Sequence, residues 1–280
     1  MVLPSQFPPI DGRRIRYAEV RIDIEKVPVI ENALAGLPLD GLVLGGAALF
    51  FAGLARGFAG FGLSAIIVAT LTLYLPPKEV VPIALVLEVA TSVLQARGVW
   101  HEIDFKMVGL MLAGAALGSI VGIELLSLLD PVYVRYAICG LVAVAALIFL
   151  TGVRLFPPLQ WKGFLITGVF SGIANGLSAL GGLVVAVALA GSQVAPAVMR
   201  ASLIAYFFVL DSYALGLAAR AGIVDQTLFI RSAIALPILV VGLIVGTYGF
   251  KRINPDRFRT FVHFMLVGLA ILLFTRTVMG

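Results

Sequence analysis

Between residues 39 and 75 the chain runs for 37 residues in which, past Asp40, the only charged side chain is Arg56. At about 1.5 Å per residue, one continuous helix of that length would reach well beyond the ~30 Å hydrocarbon core of a bilayer. So apolar a stretch seeks lipid, yet it is too long to cross once, and it must fold back or break. The break is placed by Arg56-Gly57-Phe58-Ala59-Gly60-Phe61-Gly62, where three glycines weaken the helix. Two segments follow, near 40–56 and 59–75.

The remainder of the chain has the same character. Hydrophobic residues make up 61% and charged residues 12% of the sequence, against roughly 25% charged in a soluble domain. The net charge of +5 comes from basic residues scattered among short connections, which argues against a nucleic-acid partner. Cys139 stands alone and His101 and His263 fall in unrelated segments, so no disulfide framework, metal motif or cofactor site is visible. No phosphate-binding Gly-x-x-x-x-Gly-Lys-Ser/Thr motif occurs either, which leaves an ion or substrate gradient as the energy source.

Further segments are predicted near 79–96, 107–129, 131–150, 163–175, 178–191, 197–218, 227–250 and 256–277. Pro76-Pro77-Lys78 ends the first pair, and Asp130-Pro131 opens a span with a capping side chain and a first-turn proline. Gly114, Gly118 and Gly122 recur every four residues, a groove for close helix approach. The organisation read from this is a polar tail over 1–38, a first transmembrane unit over 39–151, a linker over 152–162 and a second unit over 163–280. The tail mixes both charge signs and lacks a secretory-signal pattern; Val20, Ile22 and Ile24 alternate at the strand period.

The two units resemble each other. Asp130-Pro131 answers Asn254-Pro255 and Arg135 answers Arg259, while Gly118 and Gly122 answer Gly242 and Gly246, all at an offset of 124. Gly62 and Pro76 answer Gly182 and Pro196 at 120. Five segments per unit is an odd number, so a duplicated second copy would enter the bilayer upside down. The fold class expected is an all-α polytopic membrane protein of about 8 to 10 spans in two inverted repeats, with broken or re-entrant glycine-rich helices.

Discontinuous helices in matching positions point to a binding site. Here they are the stretches containing Gly57, Gly60, Gly62 and Ser64, and Asn175, Ser178, Gly181 and Gly182. A helix restarted at a break offers unpaired amides to an anion; the same glycines also suit helix crossing. Arg56 and Arg200 are each either a substrate anchor, with a guanidinium fork suited to sulfite, sulfonate or carboxylate, or a boundary residue reaching for headgroups. Glu88 and Asp211 lie inside segments, within a helical turn of equivalent positions, and each either carries a proton with the substrate or pairs with an arginine. Glu124 falls near a span end.

Gly57 to Gly62 with Pro76-Pro77, and Ser171-Gly172 with Gly181-Gly182 and Pro196, together resemble the TauE/SafE sulfite exporter family, also known as toluene sulfonate uptake permeases. The likeness extends over 40–278, although Gly60-Phe61-Gly62 stands where the family commonly has a run of glycines. The resemblance implies a secondary carrier of sulfite, sulfonates or related organosulfur anions in a bacterial inner membrane. Its partners would be the small anion and the lipid bilayer, with a second copy of the chain as a candidate. A carboxylate carrier, an anion channel and an intramembrane enzyme are the competing readings; the last lacks any visible catalytic constellation.

Overall fold

The computed structural model describes residues 38–151, 160–189, 194–250 and 252. The expectations for the tail, most of the linker, the final span, Asn254-Pro255, Arg259 and His263 lie outside the described residues. Within them the chain is α-helical apart from its connections and one 3-10 turn. The helices are α1 (Leu39–Ala59), α2 (Leu63–Leu71), α3 (Pro77–Ala96), α4 (Phe105–Leu128), α5 (Pro131–Thr151), α6 (Trp161–Ser178), α7 (Gly181–Leu189), α8 (Pro196–Arg220) and α9 (Gln226–Phe250).

Among the described residues, α1, α3, α4, α8 and α9 are long and apolar enough to cross a membrane. Large apolar side chains such as Leu117, Val209, Val241 and Ile244 stand exposed along their outer faces, whereas the interior holds Arg56, Glu88, Asn175 and Asp211. That is the reverse of a soluble protein and fits lipid as the surrounding solvent. Trp100 and Trp161 are exposed near helix ends, with Lys162 over the Trp161 ring at 5.4 Å, as at a headgroup boundary. Glu124 is exposed near the end of α4, as expected.

The long apolar run does fold back. α1 ends where Gly60 takes a left-handed φ of 78° and donates its N–H to the Arg56 carbonyl at 2.9 Å, a cap that a Cβ would strain. After Gly62, also left-handed at φ 94°, α2 returns beside α1. Its end reaches the start of α1, where Tyr74 lies against Gly41 and donates its hydroxyl to Asp40 at 3.3 Å. A second break has the same form. α6 ends at Ser178, Ala179 turns left-handed at φ 55°, and α7 starts back beside Ser171 and Asn175.

Both breaks fall later than the sequence suggested, at 60–62 rather than 57–58 and at 179–180 rather than 176–177. The reason is that Gly57 and Gly176 are used inside their helices. A Cβ on Gly57 would come 2.2 Å from the Leu243 carbonyl oxygen, and one on Gly53 2.1 Å from that of Leu239, both on α9. On α6, Gly168 and Gly172 press against Met111 and Ala115 of α4, and Gly176 against Ile123. Glycines answer from the other side: Gly114 and Gly118 meet Leu165 and Val169, and Gly242 and Gly246 meet Phe50 and Leu54. These two crossings, α1 with α9 and α4 with α6, are the tightest helix contacts among the described residues, backbone on backbone.

Candidate functional site

The buried charged groups gather at the two breaks, and the side chain that dominates is Arg56. It is fully buried in the last turn of α1, where a guanidinium needs partners to offset its lost hydration. Both Nη atoms have them, while Nε is left without one. Nη2 donates to the Ser92 hydroxyl at 2.6 Å, Nη1 donates to the Gly60 carbonyl and lies 3.3 Å from Glu88 Oε2, and the guanidinium stacks 5.3 Å from the centre of the Phe207 ring. Arg56 therefore does not reach for headgroups. It ties the open carbonyl end of α1 to α3, which carries Glu88 and Ser92 one turn apart.

Glu88 has a second duty. Its Oε1 accepts from the Ser64 amide at 3.3 Å and from the Ser64 hydroxyl at 3.1 Å, so the amino end of α2 already faces a carboxylate of the chain itself. Arg200, near the start of α8, donates to the Gly57 carbonyl at 2.8 Å, and its guanidinium sits 4.9 Å from the Phe250 ring centre. The Gly60 position is tight against it: a Cβ there would meet Arg200 at 3.0 Å. Two arginines thus cover the carboxyl-terminal end of α1, whose dipole favours positive charge.

The second break is built differently. Asn175 donates to Asp211 Oδ1 at 2.6 Å, and both are buried. The Ser178 hydroxyl turns back onto the Ala174 carbonyl at 2.8 Å. Tyr206 donates to the Ser171 hydroxyl, which itself donates to the Gly181 carbonyl at 3.0 Å and pins the start of α7. Gly182 lies against the tip of Phe207, the same ring that Arg56 covers. Phe207 is thus the common neighbour of the two breaks, and Asp211 interacts electrostatically with both Glu88 and Arg56.

The pairs correspond residue for residue. Arg56–Ser92 and Asn175–Asp211 each join positions 36 apart, and the second pair follows the first by 119 places (56 to 175, 92 to 211). Gly57 and Gly176, and the left-handed Gly60 and Ala179, keep the same offset, as do the first-turn prolines Pro77 and Pro196. The offset of 120 expected for Gly62 with Gly182 and Pro76 with Pro196 is therefore off by one residue. On this register Glu88 answers Phe207.

Of the residues singled out from the sequence, Arg56, Ser64, Glu88 and Arg200 meet at the first break and Asn175, Gly181 and Asp211 at the second, whereas Gly57 is packed against α9 and Ser178 turns back onto its own helix. Sequence reasoning passed over Ser92, Phe207, Tyr206 and Gln95. Ser92 lies one turn after Glu88 on an α3 face that the helix period marks, and Gln95 lies one turn further, buried with both side-chain amide atoms unpartnered. Nothing in the sequence distinguished Phe207 from other apolar residues of α8. Among the described residues no cluster of three or more His, Cys, Asp or Glu side chains is placed to hold a metal ion.

Fold and site together define a multi-pass α-helical membrane protein with a charged, broken-helix interior. The family model described as sulfite exporter TauE/SafE matches residues 45–273, and the chain belongs to that family of transporters. A curated relative, the "Probable sulfite/organosulfonate exporter TauE" of Cupriavidus necator (strain H16), is 26% identical over 240 residues, covering 83% of this chain and 92% of the relative. No solved structure matches the chain significantly.

Proposed function

We propose that the protein is a secondary transporter of small organosulfur anions, sulfite or sulfonates, in the bacterial inner membrane. In this reading the units 39–151 and 163–280 are inverted repeats of a ten-segment carrier. The single observation that carries the proposal is Arg56, a fully buried cation at a helix break, facing across Phe207 the amino end of α7. The amides of Gly181 and Gly182 open that helix with no partner among the described hydrogen bonds, which suits an oxyanion. At the first break the equivalent end is filled by Glu88, a built-in model of what an anionic substrate would do at the second.

Arg56 and Arg200 balance Glu88 and Asp211 charge for charge. An entering anion upsets that balance in a low-dielectric interior, where uncompensated charge is costly, so a proton or cation should accompany it. Glu88 is held by Arg56 and Ser64, whereas Asp211 Oδ2 is buried without a partner; Asp211 is the better coupling group. A carrier of small carboxylates is the second reading, favoured by the carboxylate that Arg56 already binds.

The test is counterflow in proteoliposomes with sulfite, a small sulfonate and a small carboxylate. Saturable exchange of sulfite or the sulfonate is expected, with Arg56→Lys raising KM, because an ammonium lacks the two-pronged fork. Exchange of carboxylate alone selects the second reading. Flux without saturation or counterflow indicates a channel, and no flux of any anion through folded protein removes the carrier reading.

A further inference from the structure

The two breaks end their first helices in opposite electrostatic states. At the end of α1, the carbonyls of Gly57 and Gly60 are each met by a guanidinium, from Arg200 and Arg56. At the end of α6 the register replaces both arginines, Arg56 by Asn175 and, since position 200 corresponds to 81, Arg200 by Val81. The chain caps Ala174 and Asn175 through Leu180, Ser178 and Ala179, but no described donor reaches the carbonyls of Gly176, Leu177 or Ser178. A helix end of this kind carries about half a negative charge. Beside it stands Asp211, held by Asn175 through one oxygen while the other, Oδ2, is buried with no partner. Asp211 is 1% exposed.

We propose that Asp211 and the last turn of α6 form a binding site for a monovalent metal cation of the size of sodium, which travels with the anion. The donor set is oxygen only, a carboxylate with backbone carbonyls, which is what a hard cation takes. Carboxyl-terminal ends of broken membrane helices are suited to this task. The cation would stand where the first unit has a tethered guanidinium. Glu88 and Arg56 are the other charged groups that act on Asp211, and they are already paired with each other. The anion would bind at the start of α7, only two residues of chain beyond the end of α6, so the two charges stabilise each other across the break. The inference rests on the carrier reading above and adds the identity and place of the coupling ion.

The experiment uses the purified full chain in lipid nanodiscs and proteoliposomes, with sodium chloride replaced by choline chloride at constant ionic strength. Sodium is expected to raise the thermal unfolding temperature saturably and to stimulate sulfite or sulfonate counterflow. Asp211→Asn should abolish the sodium effect on unfolding, and Asp211→Glu, kept as a second variant should the first not fold, should raise the half-saturating sodium concentration about tenfold, equivalent to about 1.4 kcal/mol. Asn175→Arg, which recreates the first break, should make the folded protein indifferent to sodium. Anion exchange that proceeds equally in choline and sodium and responds only to a pH gradient overturns the cation site while leaving the carrier intact. A sodium response undiminished in the Asp211 variants overturns it as well. Sodium stabilisation with no anion movement leaves the cation site standing and removes the carrier.

Discussion

The end of α1 and the end of α6 share a backbone plan and differ in chemistry. Both stop at a left-handed residue, both fold back into a short helix, and both join the last turn to the following long helix through a side-chain pair 36 residues apart. In the first the pair is arginine to serine with a glutamate beside it; in the second it is asparagine to aspartate. The first break is thus held from within, by two guanidinium groups on its carbonyls and one carboxylate at the start of α2. The second keeps, among the described residues, a carboxylate oxygen, carbonyls and amides without hydrogen-bond partners. A shared backbone with divided chemistry teaches that two breaks of the same plan can be held by different side chains, arginine and glutamate at one, asparagine and aspartate at the other.

Removing the dominant group should separate the halves most sharply. Arg56→Ala leaves Glu88 buried and unpaired, and an orphaned partner of this kind costs about 3–5 kcal/mol. Unfolding in mild detergent should show that loss, together with the end of anion exchange. If stability is unchanged, the first break is not held from within and the contrast fails.

A smaller effect tests the turn itself. Gly60→Ala forces a Cβ into the left-handed region, at about 1–2 kcal/mol, and against Arg200 at 3.0 Å. The expected result is a lowered unfolding temperature with weakened binding, since Arg200 must shift. The reverse exchange at the matching position is the smallest and opposite in sign. Ala179→Gly relieves a left-handed alanine at φ 55° and should stabilise by at most about 1 kcal/mol after the entropy that glycine adds to the unfolded chain. Equal responses at 60 and 179 would show that the two turns are not equivalent parts of one plan.

The glycines show how far the sequence could be read. Gly114, Gly118 and Gly122 declared a close crossing through their spacing, and α6 meets them with Gly168, Gly172 and Gly176. Gly57 and Gly60 looked alike in the sequence, yet one lies within a helix against α9 and the other ends that helix. Spacing reports that backbones approach but not which approach is a crossing and which a turn. For that reason each break lies a few residues later than glycine spacing predicts. Arg56 and Glu88 each stood out as charges in apolar surroundings, but their union with Ser92 depends on how α3 docks beside α1.

From the amino-acid order alone came the solvent and the scale: a chain this apolar must live in lipid, and a 37-residue run with, past Asp40, a single charge must turn back inside it. Those conclusions need only transfer free energies and the length of a helix. Tertiary structure decided which guanidinium covers which carbonyl, that Glu88 fills the start of α2, and that Asp211 is left with an unclaimed oxygen. Such partnerships form between residues dozens of places apart, and only the docking of whole helices brings them within bonding distance.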